Sequence, residues 1–264
     1  MTDDAYDGLS LVRSKRGLWL REGDTGDRDV TGEISSYSKL PVLPGDVVLD
    51  IGAHIGAFTT LVAIPRGASL VVAIEPDAEN FAVLKHNVAP FQPGVEAYRG
   101  AVVHGHEPTV TLQLCANKSS MHTLVPTRGR EGVKVQAICF SELLKFWRPS
   151  VVKMDIEGGE YSLMDELMLL PDYVEALAIE IHPYKGDRSR VLSRRLVKLL
   201  AQQFTALKAA KITEKNWVTV GIYARGKRTT PWQVRELLET RGCPPFWERR
   251  LSAWEAQYTA QPKE

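Results

Sequence analysis

Short apolar runs recur along the chain and predict the strands of a sheet. The first run is Val47–Ile51, and four more follow at residues 69–74, 95–103, 151–156 and 176–181. A short continuous run such as the first is typical of a strand that is buried on both faces of a parallel sheet, and the alternation of such segments with helices extends this interpretation to the others. We therefore predict five parallel strands at these positions.

Helical spacing fills the gaps between these runs. Asp77 is a good N-cap for a helix whose apolar stripe includes Leu84 and Val88. Further helices are predicted around residues 163–167 and at residues 187–203. Strands that alternate with helices indicate an α/β fold with a doubly wound, mostly parallel sheet and helices on both faces.

Two pairs of β-rich segments depart from this alternation. Residues 109–114 and 133–138 form an excursion between the third and fourth strands. Residues 204–210 and 217–224 are joined only by residues 211–216. Since that link is too short for a parallel crossover, we predict that these last two strands form an antiparallel hairpin.

The chain is expected to hold one α/β domain with an addition at each end. The domain covers residues 44–225, where the strand and helix signals lie. Residues 1–43 are polar and irregular apart from an apolar patch at 18–20, so we predict an N-terminal extension that packs across the domain or closes over it as a lid. Residues 226–264 predict a C-terminal helical appendage.

Composition narrows the class of protein. The 33 basic and 32 acidic residues nearly cancel, so the whole chain has no field that would concentrate nucleic acid or anionic membrane. Cys115, Cys139 and Cys243 lie far apart, which argues against a disulfide framework and a structural zinc site. The polar start and the lack of an apolar run of about 20 residues favour a cytoplasmic protein with no membrane partner.

A glycine turn follows the first predicted strand, where nucleotides bind in doubly wound sheets. Residues 50–56 read Asp-Ile-Gly-Ala-His-Ile-Gly. A dinucleotide fingerprint would need glycine where His54 and Ala57 stand, and a P-loop would need Gly-Lys-Ser/Thr. The turn therefore suits a ligand without pyrophosphate, and Asp50 suits a cationic amino-acid end.

Glu75 ends the second predicted strand. A carboxylate at this place can accept both hydroxyls of a ribose. The turn at residues 50–56, which begins with Asp50, and the carboxylate of Glu75 together favour an adenosyl amino acid as ligand. A tight turn beside a solvated glutamate in another kind of α/β protein stays open as the alternative.

Four segments of the chain are similar to those of a known family. Residues 48–56, 72–77, 84–88 and above all 152–160, Val-Lys-Met-Asp-Ile-Glu-Gly-Gly-Glu, resemble the FkbM family of class I methyltransferases with its K-x-D-x-E-G-x-E signature. The resemblance covers roughly residues 44–185. It implies a Rossmann-like class I methyltransferase fold, with a mostly parallel seven-stranded sheet that ends in an antiparallel hairpin, and it implies S-adenosyl-L-methionine as cofactor.

The resemblance also implies which residues contact the cofactor. The turn would line its methionine end, the second acid would hold its ribose, and residues after the second and third strands would surround the adenine. These expected contacts are Asp50, Gly52, Ala53, His54, Gly56, Glu75, Pro76, Asp77, Ala101 and Val102. Members of the family usually carry asparagine where His54 stands.

Four ionisable residues are predicted to meet at the end of the fourth and fifth strands. Alternation places Lys153 and Asp155 on one side of the fourth strand, and Glu180 and His182 repeat the pattern on the fifth. Clustered charges shift one another's pKa values and are candidate acid and base groups. We predict these four as the catalytic residues, with His182 or Asp155 as the base that takes a hydroxyl proton and Glu180 or Lys153 orienting it.

Structural roles for the same residues stay open. A Lys153–Glu180 pair can simply hold two strands together, and His182 can simply end its strand. Glu157 and Glu160 also suit the N-terminal turn of a helix. We predict no resident metal because no tight ligand spacing such as H-x-x-x-H occurs, although Asp155, Glu180 and His182 form a set that suits a divalent ion.

The FkbM resemblance implies an O-methyltransferase that acts on a hydroxyl of a small molecule such as a sugar, a glycolipid or a secondary metabolite. Ser119, Ser120 and Glu157 are predicted to face this acceptor. A nucleoside or nucleic-acid hydroxyl is the less favoured alternative, for which a helix rich in arginine at residues 188–198 would supply phosphate contacts. A non-catalytic cofactor-binding scaffold is the third hypothesis, and the oligomeric state stays open.

Overall fold

The computed structural model describes residues 9–116, 118–182, 187–208 and 219–225, without the side chains of residues 187–190, 208 and 219. The strands are β1 (Leu11–Arg13), β2 (Trp19–Arg21), β3 (Val47–Ile51), β4 (Leu70–Glu75), β5 (Val95–Arg99), β6 (Ala101–Val103), β7 (Thr109–Gln113), β8 (Gly132–Cys139), β9 (Val151–Met154), β10 (Ala176–Ile181), β11 (Thr205–Lys208) and β12 (Thr219–Ala224). The α-helices are α1 (Thr25–Glu33), α2 (Ala78–Val88), α3 (Phe140–Trp147), α4 (Met164–Met168) and α5 (Asp187–Gln203).

The main sheet has seven strands in the order β11-β12-β10-β9-β3-β4-β5. Neighbours from β10 to β5 pair in parallel, whereas β12 is antiparallel to both β10 and β11. Five parallel strands and the antiparallel pairing of the last two strands are therefore confirmed, although the third parallel strand covers only part of the predicted segment 95–103. The link at residues 211–216 lies outside the described residues. The sheet is that of the predicted Rossmann-like class I methyltransferase fold.

Both faces of the sheet are buried, as the apolar runs predicted. Along β3, Leu49 and Ile51 belong to the core on one face, while Val48 packs into the core on the other. Val72 and Val71 divide in the same way along β4. Since successive side chains of a strand point to opposite faces, a run that is apolar throughout places apolar groups in both cores.

The third predicted strand is wrong as a single element. The chain leaves the main sheet after β5, and β6 pairs in parallel with β8 in a second, three-stranded sheet that β7 completes. Gly100 stands at the break, and a Cβ atom there would lie 2.6 Å from the side chain of Ile138. The excursion predicted at residues 109–114 and 133–138 corresponds to β7 and β8, which pair antiparallel.

The helices agree with the prediction in part. Asp77 caps α2 by accepting from the backbone amides of Glu79 and Asn80, as expected. The segment around residues 163–167 is a 3-10 helix, Gly159–Leu163, that continues into the short α4. The turn after β3 leads into a π-helical turn, Thr59–Ala63.

The N-terminal segment packs on the turn side of the domain. Leu18 and Leu20, from the predicted apolar patch, are buried against Ile55, Ala57 and Val83. No helix of the described residues is both long and apolar enough to cross a bilayer. The predicted appendage at residues 226–264 lies outside the described residues.

A buried ion pair ties this segment to the domain. The Arg21 guanidinium contacts both carboxylate oxygens of Asp27, at 2.6 and 3.1 Å, and also donates to Asn80 of α2 at 2.6 Å. Arg21 is 7% exposed and Asp27 is fully buried. Removal of one partner from a buried pair leaves the other charge without compensation.

We expect Arg21→Met to lower the free energy of unfolding by about 3–5 kcal/mol, because Asp27 would stay buried without its partner. Chemical denaturation measures this loss. Lys118→Met is the control, since it breaks the exposed pair with Asp29 and should cost no more than about 1 kcal/mol. If both variants lost the same free energy of unfolding, burial of the Arg21–Asp27 pair would contribute nothing beyond what an exposed pair contributes.

Candidate active site

A cavity of about 230 Å³ opens at the carboxyl ends of the parallel strands. It lies where β3 is flanked by β4 on one side and β9 on the other, the point at which the strand order reverses and doubly wound sheets bind their ligands. Residues from β10, α1 and the segment 118–124 complete its wall. The cavity therefore combines the predicted nucleotide turn with the predicted ionisable cluster.

Left-handed backbone favours glycine at both glycine positions of the turn, and packing against backbone adds to this at Gly52. Gly52 has a φ of +73°, and a Cβ atom there would lie 1.7 Å from the carbonyl oxygen of Asp155. Gly56 has a φ of +82°, and a Cβ atom there would lie 2.7 Å from the side chain of Leu84. The turn thus sits directly against the end of β9 and against α2, and a side chain at position 52 would prevent the contact with β9.

Glu75 lies at the end of β4 with its carboxylate in the cavity wall. One oxygen accepts from the backbone amide of His54 at 2.9 Å. The other accepts from the amide of Asp77 at 3.0 Å and from the side chain of Asn80 at 3.2 Å. Burial raises the pKa of Glu75 to about 7, despite these donors.

His54 fills the position where the dinucleotide motif would have glycine. Its backbone is left-handed, with a φ of +51°, and its Nε2 lies 3.1 Å from the hydroxyl of Ser119. Burial, followed by the charge of Arg21, lowers the pKa of His54 to about 3, so the ring is neutral. Ser119 also donates to Asp24 at 2.9 Å and therefore joins the turn to the N-terminal segment.

Lys153 is buried behind the turn. Its Nζ donates to the carbonyl oxygen of Gly52 at 2.7 Å and lies 3.3 Å from Asp50 Oδ1 and 3.9 Å from Asp155 Oδ2. Although burial opposes its charge, Asp50 and Asp155 raise the pKa of Lys153. Asp50 is fully buried and also accepts from Thr59 at 2.6 Å, so its carboxylate is engaged inside the protein.

His182 stands at the centre of a group of carboxylates after β10. Its Nδ1 lies 2.9 Å from Glu160 Oε1. Its Nε2 lies 3.6 Å from Glu157, 3.8 Å from Asp155 and 4.0 Å from Glu180. The structure therefore brings together the side chains that alternation placed on one side of the two strands.

The charges of this group perturb one another. Burial opposes the charge of His182, but Glu160 and then Glu157 raise its pKa to about 10. Burial raises the pKa of Glu157 to about 7, and burial together with the Asp155 charge raises that of Glu180 to about 8. Too much negative charge is gathered in this space for every carboxylate to ionise freely.

Three residues of the site were missed as site residues by the sequence analysis. Tyr37 donates its hydroxyl to Glu180 at 2.8 Å, and burial raises its own pKa well above the usual value. Glu160 lies in the first turn of the 3-10 helix, as its interpretation as a helix-start acid expected, and it also holds His182 and accepts from the amide of Gly158. Asn80 holds Glu75. Each acts on a partner distant in sequence or on another element, and spacing carries no signal for such pairs.

The predicted site residues divide into two sets. Those in the cavity wall are Gly52, His54, Glu75, Pro76, Ala101, Val102, Ser119, Ser120, Asp155, Glu157, Glu180 and His182. Those outside the wall are Asp50, Ala53, Gly56, Asp77 and Lys153. The second set does not line the cavity, and Asp50 lies beside Lys153.

Comparison with known proteins identifies the family. The model of the methyltransferase FkbM domain matches residues 50–205, more than half of the chain. The chain belongs to the FkbM methyltransferase family. It is an S-adenosylmethionine-dependent methyltransferase, as the resemblance implied.

Individual relatives are distant. The hexuronic acid methyltransferase AglP of Haloferax volcanii is 23% identical over 226 residues, which are 82% of this chain and 85% of that protein. A solved FkbM methyltransferase from Methylobacillus flagellatus KT is 16% identical, with a TM-score of 0.43, over 74% of this chain and 51% of that one. TYW2 of M. jannaschii, solved with AdoMet, is 16% identical, with a TM-score of 0.44, over 83% and 87% of the two chains.

The residues of the cavity fit this cofactor. Glu75 offers a buried carboxylate at the end of β4, which suits ribose hydroxyls. Pro76, Ala101 and Val102 add an apolar wall beside it. His54 occupies the place at which a dinucleotide site would let a pyrophosphate approach the backbone.

Glu157 lies in the cavity wall with a left-handed backbone, at a φ of +49°. We expect Glu157→Gly to keep or raise the free energy of unfolding, because glycine removes a strain of about 1–2 kcal/mol and the variant also loses a crowded carboxylate. Methyl transfer should nevertheless fall at least about tenfold if the side chain serves the site. Denaturant unfolding and a turnover assay with labelled cofactor measure the two effects.

Arg148→Gly is the matched control for this variant. Arg148 is also left-handed, with a φ of +46°, but it ends α3 away from the cavity. Its replacement should leave turnover unchanged. A large loss of stability in Glu157→Gly would instead assign Glu157 a purely structural role.

Proposed function

We propose that this protein transfers the methyl group of S-adenosylmethionine to a hydroxyl of a small molecule, most plainly a sugar. The observation that carries the proposal is that the carboxylate of Asp155 and the carboxylate of Glu75 line one cavity. A ribose-binding acid and a proton-accepting acid in one enclosed space suit methyl transfer to oxygen.

The cofactor is assigned to the end of the cavity near β4. Glu75 accepts the ribose hydroxyls, Pro76 borders the adenine, and Ala101 and Val102 offer backbone groups to the ring. Gly52 and its neighbours border the methionine end, where the structure supports backbone contact rather than a contact with the buried Asp50. When bound, the cofactor supplies a methyl group on a positively charged sulfur, which makes the carbon open to in-line attack.

The acceptor is assigned to the other end, beside Asp155, Glu157, Glu180 and His182. A hydroxyl is a weak nucleophile until a base takes its proton. Geometry favours Asp155 as this base, because it lines the cavity with a side chain that is 21% exposed, while His182 is held on its Nδ1 by Glu160. In the transfer, the acceptor oxygen would bond to the methyl carbon as the carbon–sulfur bond breaks, and Asp155 would take the hydroxyl proton.

Lys153 and Tyr37 are positioning residues in this scheme. Lys153 contacts the carbonyl oxygen of Gly52 and the carboxylate of Asp155, so it fixes the distance between the turn and the base. Tyr37 fixes Glu180 by a hydrogen bond of 2.8 Å. Each keeps a carboxylate of the acceptor end in place without needing to touch the reacting atoms.

A small acceptor is favoured by the way the cavity is covered. Val30 and Glu33 of α1 and the segment that carries Ser119 and Ser120 line it opposite the sheet, so we propose that residues 9–43 act as its cover. The name of the related AglP, a hexuronic acid methyltransferase, supports a sugar. The acidic acceptor end opposes a polyanion, and the exposed Arg194 and Arg195 of α5 fit the solvated face of a helix, so nucleic acid stays the less favoured alternative.

Glu75→Gln is expected to weaken binding of S-adenosylhomocysteine about tenfold or more, because a hydrogen bond to a charged group contributes about 1.5–3 kcal/mol. Calorimetry measures the dissociation constant. Glu79→Gln, an exposed acid on α2 nearby, is the control and should bind like the parent protein.

The pH dependence of the dissociation constant of S-adenosylhomocysteine tests the role of Glu75 a second time. Ionised Glu75 is the stronger acceptor for ribose hydroxyls, and its pKa of about 7 in the free protein means that ionisation rises with pH. Binding should therefore tighten, by up to about tenfold, from about pH 6 to about pH 8 and then level off. A parallel pH dependence in Glu75→Gln would assign the effect to another group.

Asp155→Ala and His182→Ala should each lower kcat by at least about tenfold. The dissociation constant of S-adenosylhomocysteine should stay nearly unchanged, because both side chains lie at the acceptor end. The assay is a screen of sugar hydroxyl acceptors with labelled cofactor, and Asp172→Ala, a fully exposed acid paired with Arg225, is the control. Full activity in both variants with the cofactor still bound would remove these residues from the mechanism. If the parent protein methylated none of the hydroxyl acceptors, that result would count against the proposed function.

A further inference from the structure

One ring nitrogen of His182, in the part of the cavity assigned to the methyl acceptor, faces only carboxylate oxygens. The Nε2 of His182 is surrounded by oxygens of Glu157, Asp155 and Glu180 at 3.6, 3.8 and 4.0 Å. These separations are too long for hydrogen bonds. Within the part of the chain that the structure describes, the side chains of Asp155 and Glu157 accept no hydrogen bond from protein. The arrangement is that of several ligand atoms around a shared centre.

We propose that Asp155, Glu157 and His182 bind a divalent metal ion, with Glu180 beside them. One atom from each of the three residues lies within 4.8 Å of the other two. An ion about 2.0–2.2 Å from each ligand holds neighbouring ligand atoms about 3 Å apart and opposite ones about 4.3 Å apart. The observed distances of 3.6 and 3.8 Å from Nε2 lie in this window.

The orientation of His182 is an observation independent of the carboxylates around Nε2. The residue is 8% exposed, and its Nδ1 is fixed 2.9 Å from Glu160, which is fully buried. A histidine that ligates a metal nearly always donates its other ring nitrogen to a carboxylate or carbonyl, which sets its tautomer and its direction. Glu160 is itself held by backbone amides of its own loop, at 3.3 and 3.4 Å.

Charge favours the same conclusion. Four carboxylates, of Asp155, Glu157, Glu160 and Glu180, surround a single imidazole. Lys153 divides its charge between this group and Asp50, because its Nζ lies 3.9 Å from Asp155 and 3.3 Å from Asp50. Buried negative charge is costly unless a partner compensates it, and a dication placed between the carboxylates and Nε2 is such a partner.

The ligand set selects among ions. Two carboxylates with one imidazole suit Mn²⁺, Fe²⁺ or Zn²⁺, whereas Mg²⁺ prefers oxygen ligands alone. The use of the ion rests on the proposed function: coordination would orient the acceptor hydroxyl and lower its pKa beside the cofactor. Asp155 would offer one oxygen to the ion, and its other oxygen would take the hydroxyl proton. Binding of the ion itself requires no acceptor and no methyl transfer.

The test is a titration of the full chain, stripped with a chelator, with Mn²⁺ alone. Electron paramagnetic resonance follows the free ion, with and without S-adenosylhomocysteine. We expect about one tight Mn²⁺ site per chain, which also raises the thermal midpoint because the ion binds the folded state. The Asp155→Asn/Glu157→Gln double variant and the single variant His182→Gln should each weaken binding at least about tenfold.

Two controls make the result specific. His104→Gln is matched to His182→Gln, because His104 also pairs its Nδ1 with a carboxylate, that of Glu166, but is exposed and outside the cavity wall. Glu142→Gln removes a ligand from a second cluster, His106, Cys139 and Glu142, that also has ligand spacing. Both controls should bind Mn²⁺ like the parent chain.

Retained binding of S-adenosylhomocysteine shows that each variant is folded, and the single variant His182→Gln serves if the double variant is not. The proposal is overturned if the parent chain binds no Mn²⁺, if the site variants keep its affinity, or if only Glu142→Gln loses it. Because the titration contains no acceptor, failure to methylate any hydroxyl would count against the proposed function and leave this result unchanged.

Discussion

The buried ammonium of Lys153 is the contact on which the geometry of the cavity depends. Lys153 and Asp50 stand directly opposite each other in the register of β9 and β3, so their side chains leave the sheet on the same side. From there Lys153 reaches the carbonyl oxygen of Gly52 and the carboxylate of Asp155. An unpaired ammonium inside the sheet would be unstable, and these acceptors explain why it is tolerated. The nucleotide turn and the proposed base are thereby held by one charge.

Much of the fold could be predicted from local pattern because the sheet is buried on both faces. The bounds of β3, β10 and α5 coincide with the predicted segments. The error at the third strand has a different origin. At the break, Ile138 of β8 occupies the space that a side chain at position 100 would need, and no short-range pattern reveals a neighbour so far along the sequence.

The site could be predicted as far as alternation reaches. Period two correctly grouped Lys153 with Asp155 and Glu180 with His182, since side chains two apart share a face. It could not show that Asp50 points at Lys153, because this depends on which residues of two strands lie in register. The contact between Tyr37 and Glu180 joins residues 143 positions apart and was equally beyond reach.

The two ends of the cavity differ in how they handle charge, and this difference separates their roles. At the β4 end, donors converge on Glu75, and Asn80 extends the chain of hydrogen bonds to Arg21 and Asp27 in the N-terminal segment. A ligand there meets a polar network that is already satisfied and that includes the cover. At the β10 end, hydrogen-bond acceptors outnumber donors around His182. Tyr37, which belongs to the cover formed by residues 9–43, donates a hydrogen bond to Glu180. The N-terminal segment therefore contributes to both ends, so its folding and the assembly of the site are expected to be one event.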